Sequence, residues 1–301
     1  MNLARLKKKS YPYLFLAPFA ILTLLFFVIP AFATIWMSTT NLDRKMKADF
    51  IGLGNFRQIL ADINLWPIIK ITLIYVFFSL ILTVAFSLLL AICTQYLVKN
   101  KRIGALYRVI WLIPSTMPGL VYVVFWKYIF NPTPGGFANK VIMYFGLEQP
   151  VSWFNEAGLL IIIVAGVISG ASGGMILFSA SINSIPEDIY KAARVDGAKD
   201  RSIIKDIILP ALKWPIMYVT VTSTIGLFAS YNFILLATGG GPVFDTTTLA
   251  LYGYQQAFNR LEYGYGAAIS VIVVIISLLL TLLLFRIFDF NKLIRPPRIE
   301  D

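Results

Sequence analysis

Most residue types needed for enzyme chemistry are missing from this chain of 301 residues. It contains no histidine, and its single cysteine is Cys93. The sequence therefore excludes Ser-His-Asp and Cys-His nucleophile pairs, the His-Glu-x-x-His zinc motif and an internal disulfide. It also lacks the G-x-x-x-x-G-K-[S/T] stretch that binds nucleotide phosphates. We predict a chain that is not an enzyme by itself and that binds no cofactor or metal.

The densest group of charged side chains lies in residues 183–214, NSIPEDIYKAARVDGAKDRSIIKDIILPALKW. This pattern predicts a helix, a turn and a second helix. Ser184 and Glu187 have the spacing of a capping box, and Pro186 fits the first turn of a helix. Gly197 suits a left-handed turn between the two helices.

The second helix of this segment contains Pro210, which we expect to interrupt it because proline lacks an amide proton. The first helix carries a small apolar face at helical spacing, made of Ile185, Ile189, Ala192 and Ala193. Small residues on a short helix allow close docking into a groove of another protein. Packing on a lipid surface, or against the chain's own helices, explains the same pattern.

The elements that must position these residues are membrane spans. The chain is 58% hydrophobic and 14% charged, with a mean hydropathy of +0.77. Six stretches without Asp, Glu, Lys or Arg are long enough for a bilayer core of about 30 Å. The predicted spans are residues 12–37, 69–97, 104–130, 157–182, 215–237 and 266–288.

The positive residues predict the orientation of these spans, because lysine and arginine accumulate on the cytoplasmic side. One set of connections holds 18 of the 26: four before the first span, four in 99–108, six in 183–213 and four from Arg286 onward. The other connections, 38–70, 127–156 and 238–265, hold eight. We therefore predict that both termini are cytoplasmic.

No acidic or basic side chain lies within the six uncharged stretches. Ionisable residues at membrane depth mark proton relays and ion pathways. Their absence disfavours an ion-coupled secondary carrier and favours an energy source outside the membrane.

The spacing in the charged segment resembles a known family. Gly197 is followed by nine residues and then by Ile207-Ile208-Leu209-Pro210. This matches the cytoplasmic loop of bacterial ABC importer permeases, E-A-A-x3-G-x9-I-x-L-P, which forms the coupling helix that contacts the ATP-hydrolysing subunit. Lys191 stands where the family usually has glutamate, so the charge at this position of the contact is reversed.

Other segments are similar to the carbohydrate branch of this family. They are IGLGNF (51–56), RVIWLIPSTMPGLVYVVFWKYIF (108–130), GLEQPVSWF (146–154) and ATGGGPVFDTTTLALYGYQQAF (237–258). The chain resembles the first of two permease partners in maltose, glycerol-phosphate and multiple-sugar importers.

The resemblance implies an all-α polytopic membrane protein with the type I ABC importer permease fold, one domain over residues 1–301, in the bacterial cytoplasmic membrane. It implies a coupling helix between spans four and five. It also implies a second permease subunit, two ATP-binding subunits that hold ATP and Mg, and an extracytoplasmic solute-binding protein. The residues expected to contact the ATPase are Glu187, Tyr190, Lys191, Ala192, Ala193, Asp196 and Gly197.

A carbohydrate pathway needs hydroxyl and amide groups and aromatic faces within apolar helices. The candidates are Tyr122, Ser169, Ser172, Phe228, Tyr231 and Asn232. Packing between membrane helices uses the same residue types, so that explanation stays open for each of them. Because no charge lies at membrane depth, a neutral carbohydrate, an oligosaccharide in particular, is the expected substrate.

Other functions remain open from the sequence. They are an ion-coupled secondary carrier, an ABC permease for a non-sugar solute, and a sensor or scaffold without transport. The positive net charge of +11 is explained by membrane orientation, so no nucleic-acid partner is expected.

Overall fold

The computed structural model describes residues 15–146 and 148–289. Across these residues the chain is helical without a β-strand, and the only bridge joins Thr40 and Phe50. The all-α prediction is thus confirmed for this part of the chain. The helices are α1 Phe15–Ser38, α2 Gly54–Ala61, α3 Leu65–Leu97, α4 Lys101–Thr116, α5 Gly119–Ile129, α6 Phe137–Tyr144, α7 Trp153–Asn183, α8 Glu187–Val195, α9 200–211, α10 Lys213–Ala229, α11 Asn232–Ala237, α12 249–259 and α13 Tyr263–Ile287.

Four helices in the described ranges, α1, α3, α7 and α13, are long and apolar enough to cross a membrane. Their bounds agree with the predicted spans 12–37, 69–97, 157–182 and 266–288 to within four residues, apart from residues 12–14, which lie outside the described residues. Both α3 and α7 begin four residues before the predicted spans. As a result α3 includes Lys70 and α7 includes Glu156, two charged side chains that the prediction placed at or outside the membrane boundary. A charged group near a span end can reach the polar interface along its apolar stem.

The predicted third span, residues 104–130, contains Pro114 and Pro118, both of which predict a kink. The structure confirms a bend in this region, because α4 and α5 meet at an angle of 99° at the break between them. Pro114 lies inside α4 without ending it, whereas Met117, just before Pro118, is extended with ψ 135°. The proline ring disfavours a helical conformation in the residue before it, so the helix ends there. Together α4 and α5 are long and apolar enough to form one broken span, which raises the number of candidate spans in the described residues to five.

The predicted fifth span, 215–237, is also interrupted. The 17-residue α10 ends at Ala229, and α11 begins at Asn232. Ser230 has an extended ψ of 122°, and Tyr231 has φ −140°. No proline marks this break, so the apolar sequence alone did not reveal it.

The helices belong to two compact units. Among the described residues, the first comprises 15–63 together with Tyr252–Ile272. Within it the IGLGNF segment supplies Asn55, whose buried amide donates to the carbonyl of Ser38 at 2.9 Å and to that of Thr40 at 2.8 Å. Asp62 accepts hydrogen bonds from the hydroxyls of Tyr252 at 2.5 Å and Tyr265 at 3.0 Å. Burial, followed by the hydrogen bond to Asp62, raises the pKa of Tyr252 to about 12.

The second unit comprises the described residues of Asn64–Leu251 and residues 273–289. Its central contact is between α3 and α7, where small and hydroxyl side chains let the two helices approach closely. The Ser87 hydroxyl donates to the Ala171 carbonyl at 2.9 Å. A Cβ added to Gly174 would lie only 2.6 Å from the Ser87 hydroxyl oxygen. Glycine at position 174 therefore sets the distance between these helices.

A buried asparagine organises the loop that contains the GLEQPVSWF segment. The Asn139 amide donates to the carbonyls of Asn131, Thr133 and Val151 at 3.0, 3.2 and 3.1 Å. Its side-chain oxygen accepts from the Val151 amide at 3.0 Å and from the Trp153 indole at 2.8 Å. One side chain thus fixes the entry of the chain into α7.

Candidate functional site

The charged segment folds as the predicted helix, turn and helix. Gly197 has a φ of +79°, a left-handed conformation that disfavours side chains, and it separates α8 from α9. The capping-box prediction was wrong. The Ser184 hydroxyl donates to the Ser181 carbonyl of α7 at 2.8 Å. The N-cap residue of α8 is Pro186, and no side chain caps the start of this helix.

The interruption predicted at Pro210 falls two residues later, because the helical run continues to Ala211 and breaks at Leu212, which has ψ 0°. A wide helical turn, Ile204–Ile208, comes before the proline, and the Leu209 amide donates to Ile204 five residues back. A widened turn of this kind lets a helix continue where a proline would otherwise clash with the preceding turn.

One face of α8 packs on the chain's own apolar core. Tyr190 and Ala193, with Ile185 just before the helix, contact a buried cluster. That cluster is made of Ala91, Phe178, Ile182, Ile203, Ile208, Leu212 and Val219. The contacts fasten α8 to the ends of α3 and α7.

The opposite face of α8 is exposed. Of the residues expected to contact an ATPase, Glu187, Lys191 and Ala192 of α8 are exposed, as are Asp196 and Gly197 in the turn after it, whereas Tyr190 and Ala193 are half-buried. The Lys191 ammonium pairs with Asp188 at 3.2 Å along the helix surface. Ile189 and Val195 add apolar surface that is 45% and 88% exposed. The outer face of α8 therefore combines small, apolar and charged groups.

Sequence reasoning missed a polar cluster at the C-terminal end of α8. The Tyr96 hydroxyl donates to the Asp200 carboxylate at 2.8 Å, and Arg194 donates to the Tyr96 hydroxyl oxygen at 3.1 Å. Arg194 also forms an ion pair with Asp200. These bonds, first from Tyr96 and then from Arg194, hold the pKa of Asp200 below its usual value. Tyr96 is 104 positions from Asp200, and no sequence pattern connects the two.

The second candidate region is a cavity of about 700 Å³ in the second unit. It lies at the two helix breaks: Pro114, Met117 and Gly119 line it on one side, and Ser230 and Asn232 on the other. Residues of α3 and α7 complete the wall. Every lining side chain is uncharged, and hydroxyl, amide and aromatic groups occur among apolar ones. Such a cavity can bind a neutral polar molecule by hydrogen bonds and ring contacts.

Three of the predicted pathway residues, Tyr122, Ser169 and Asn232, line this cavity. The Tyr122 hydroxyl donates to the Ala165 carbonyl at 2.7 Å, and the Ser169 hydroxyl donates to carbonyls of its own helix, both at 3.2 Å. Asn232 is exposed at the start of α11. Of the three, it therefore has the side chain most open to a ligand.

The other three predicted pathway residues lie outside the cavity lining. Ser172 and Phe228 are buried, with 1% and 2% of their surfaces exposed, and Ser172 donates to the Ser169 carbonyl at 2.9 Å. Tyr231 is half-buried and immediately precedes α11. The lining residues that sequence reasoning missed include Tyr75, Ser115 and Ser223. Ser115 lies between the two prolines that predict the kink, Pro114 and Pro118, whereas nothing in the sequence marked Tyr75.

The two short helices that begin at the breaks pack on each other. The rings of Tyr122 and Phe233 are 5.8 Å apart, and the Lys127 ammonium donates to the Leu236 carbonyl at 3.2 Å. A lysine at the end of a helix is favourable because it neutralises the partial negative charge of the last carbonyls. Thus α5 and α11 form one wall of the cavity.

Comparison with known proteins identifies the family. The family described as "Binding-protein-dependent transport system inner membrane component" matches residues 83–292. The chain is 32% identical to the probable ABC transporter permease protein YesP of Bacillus subtilis, over 91% of this chain and 89% of that protein. It is 30% identical to the sn-glycerol-3-phosphate transport system permease protein UgpA of Agrobacterium fabrum, over 93% and 95%. It is 29% identical to the trehalose/maltose transport system permease protein MalF of Thermococcus litoralis, over 93% and 94%.

The fold is similar to that of a chain in a bacterial ABC transporter involved in the import of the acidic polysaccharide alginate. The TM-score is 0.85 with 21% identity, over 99% of both chains. Together with the family match over residues 83–292, the coverage and identity to YesP decide the assignment. This chain is a member of the family of inner membrane permease components of binding-protein-dependent ABC transport systems.

Proposed function

We propose that this chain is the transmembrane permease subunit of an ABC importer that moves a neutral carbohydrate, in particular an oligosaccharide, into a bacterial cell. The observation that carries this proposal is the uncharged cavity of about 700 Å³. Residues of α3 and α7 line it, and the exposed α8 packs on the ends of these two helices. A permeation site and a docking helix within one unit are what an externally driven permease requires.

The proposed topology has six spans in one transmembrane domain, with both termini cytoplasmic. The four long helices, the broken pair α4 and α5, and the interrupted pair α10 and α11 would supply the six. The 18 positive residues in one set of connections support this orientation. In this topology α8 lies on the cytoplasmic side.

The proposed assembly contains a second permease, two ATP-binding subunits and an extracytoplasmic solute-binding protein. The binding protein delivers its ligand to the outer loops, and ATP with Mg binds to the ATPase subunits. Their closure draws the coupling helices together and switches the cavity from inward-facing to outward-facing. We assign Glu187, Lys191 and Ala192 on the outer face of α8, with Asp196 and Gly197 in the turn after it, to the ATPase contact.

The carbohydrate assignment follows from the chemistry of the cavity and is supported by relatives. MalF of Thermococcus litoralis is a trehalose/maltose permease, and hydroxyl-rich neutral ligands suit a lining of hydroxyl, amide and aromatic groups. UgpA and the alginate transporter handle anionic molecules, for which a lining without a positive side chain offers no counter-charge. We propose Asn232, Ser169 and Tyr122 as substrate-facing residues.

A glycan screen tests the substrate assignment. The cognate solute-binding protein is screened against neutral oligosaccharides, uronic acid oligomers, sugar phosphates and amino acids. The best ligand is then offered to the reconstituted complex. We expect the binding protein to select a neutral oligosaccharide and the complex to transport it. Selective transport of an anionic or non-carbohydrate solute would contradict the assignment.

A further inference from the structure

Three polar side chains join the end of α8 to the end of α3. Tyr96 lies in the last turn of α3, Arg194 in the last turn of α8, and Asp200 is the first residue of α9. The Tyr96 hydroxyl donates to Asp200 at 2.8 Å, and Arg194 donates to both partners, to the Tyr96 oxygen at 3.1 Å. This set is called the Tyr96–Arg194–Asp200 cluster.

The cluster also holds the turn that ends α8. Arg194 donates to the Ala198 carbonyl at 3.3 Å, across the left-handed Gly197. The Tyr96 ring lies 5.8 Å from the ring of Tyr190, which is on the inner face of α8. The end of α8 therefore contacts α3 through both polar and aromatic groups.

From this attachment α3 leads directly to the cavity. Tyr75 and Thr83 of α3 line it, and Ser87 joins α3 to α7 through its bond to Ala171 at 2.9 Å. A displacement of the Tyr96 end of a continuous helix therefore moves residues that form the cavity wall.

We propose that Tyr96, Arg194 and Asp200 are positioning residues that make α3 the helix through which displacement of α8 reaches the cavity. This inference rests on the proposed function, because it requires α8 to be driven by an ATPase. It concerns residues that do not line the cavity and that are not among the residues assigned to the ATPase contact.

The apolar cluster beneath α8 is the competing route for this motion. If the apolar contacts alone transmitted the motion of α8, the polar bonds would contribute only to stability. Loss of those bonds would then leave the amount of substrate moved per ATP unchanged. The contribution to stability is small, because the side chains of Arg194 and Asp200 are 50% and 55% exposed and exposed ion pairs are weakly stabilising. The two possibilities thus differ in the amount of substrate moved per ATP hydrolysed.

The experiment compares Tyr96→Phe and Asp200→Asn with the parent chain in the assembled transporter, reconstituted in liposomes with its binding protein and ligand. We expect the ATPase subunits to remain associated and to hydrolyse ATP. Substrate moved per ATP should fall about fivefold, the lower end of typical coupling between sites. Asp200→Glu, which keeps the carboxylate, should recover most of the ratio.

Matched controls are Tyr107→Phe and Asp206→Asn, which change an exposed tyrosine of α4 and an exposed aspartate of α9. They should leave the ratio unchanged. The inference is overturned if the cluster variants behave like these controls, or if they lose the ATPase subunits altogether.

A separate variant, Ala192→Trp on the outer face of α8, tests the proposed function independently. If Ala192→Trp releases the ATPase while the cluster variants have normal ratios, only the inference fails. If Ala192→Trp changes nothing, the proposed docking of the ATPase on α8 fails.

Discussion

At the scale of single residues, the structure divides the coupling candidates into two groups. Ala192 faces outward, whereas the neighbouring Ala193 packs on the apolar cluster beneath α8. A bulky residue at position 193 would disturb the fold, so position 192 is the cleaner test of docking.

We predict that Ala192→Trp abolishes ATPase association without unfolding the chain, because its ring would fill the groove that receives α8. Co-purification of the ATPase measures association, and size-exclusion chromatography in detergent measures folding. Ala105→Trp, at an exposed alanine of α4, is the control and should retain association. Retained association in the Ala192→Trp variant would refute the assigned contact.

The exposed amide of Asn232 leads to a second residue-scale prediction. We expect Asn232→Leu to lower the uptake rate at limiting substrate roughly tenfold, because a lost polar contact to a ligand costs about 1.4 kcal/mol. Basal ATP hydrolysis should be unaffected. Thr222→Val, which changes an exposed side chain of α10 bonded to its own helix, is the control. Equal uptake by both variants would exclude Asn232 from the pathway.

At the scale of helices, close packing of α3 on α7 depends on one glycine. We predict that Gly174→Val lowers the thermal midpoint of unfolding by several degrees, since its side chain would overlap the Ser87 hydroxyl and push the helices apart. Gly173→Val is a matched control, because a Cβ there meets nothing within 4 Å. Fluorescence-detected thermal unfolding in detergent compares the two. An equal midpoint for both variants would show that α3 and α7 do not require glycine at 174.

The same scale shows how far the sequence predicts the fold. Continuous apolar stretches located α1, α3, α7 and α13, because a bilayer requires long uninterrupted helices. Of the two breaks, the sequence predicts only the first. Pro118 marks it through its effect on Met117, whereas Ser230 and Tyr231 adopt non-helical angles with no proline beside them. Local sequence does not record a break that tertiary packing imposes.

The candidate site shows the same limit. Composition predicted a pathway of hydroxyl, amide and aromatic groups, and Tyr122, Ser169 and Asn232 line the cavity. The prediction could not separate them from Ser172 and Phe228, because buried packing between membrane helices uses the same residue types. Contacts between distant positions, such as Tyr96 with Asp200, required the structure.

At the scale of the whole molecule, the charge distribution bears on the energy source. The uncharged stretches of the sequence and the uncharged lining of the cavity offer no group that could bind a coupling proton. The chain also lacks a nucleotide-binding motif, so the proposed function requires ATP hydrolysis on a partner.

The most direct test of this central claim measures uptake of the cognate ligand by the assembled complex in sealed proteoliposomes. ATP is supplied on the side of the ATPase subunits, and proton and sodium gradients are either imposed or collapsed with ionophores. We predict that uptake requires ATP and the binding protein and that it persists when every ion gradient is collapsed. Uptake that persists without ATP and stops with the ion gradient would contradict an ATP-driven permease.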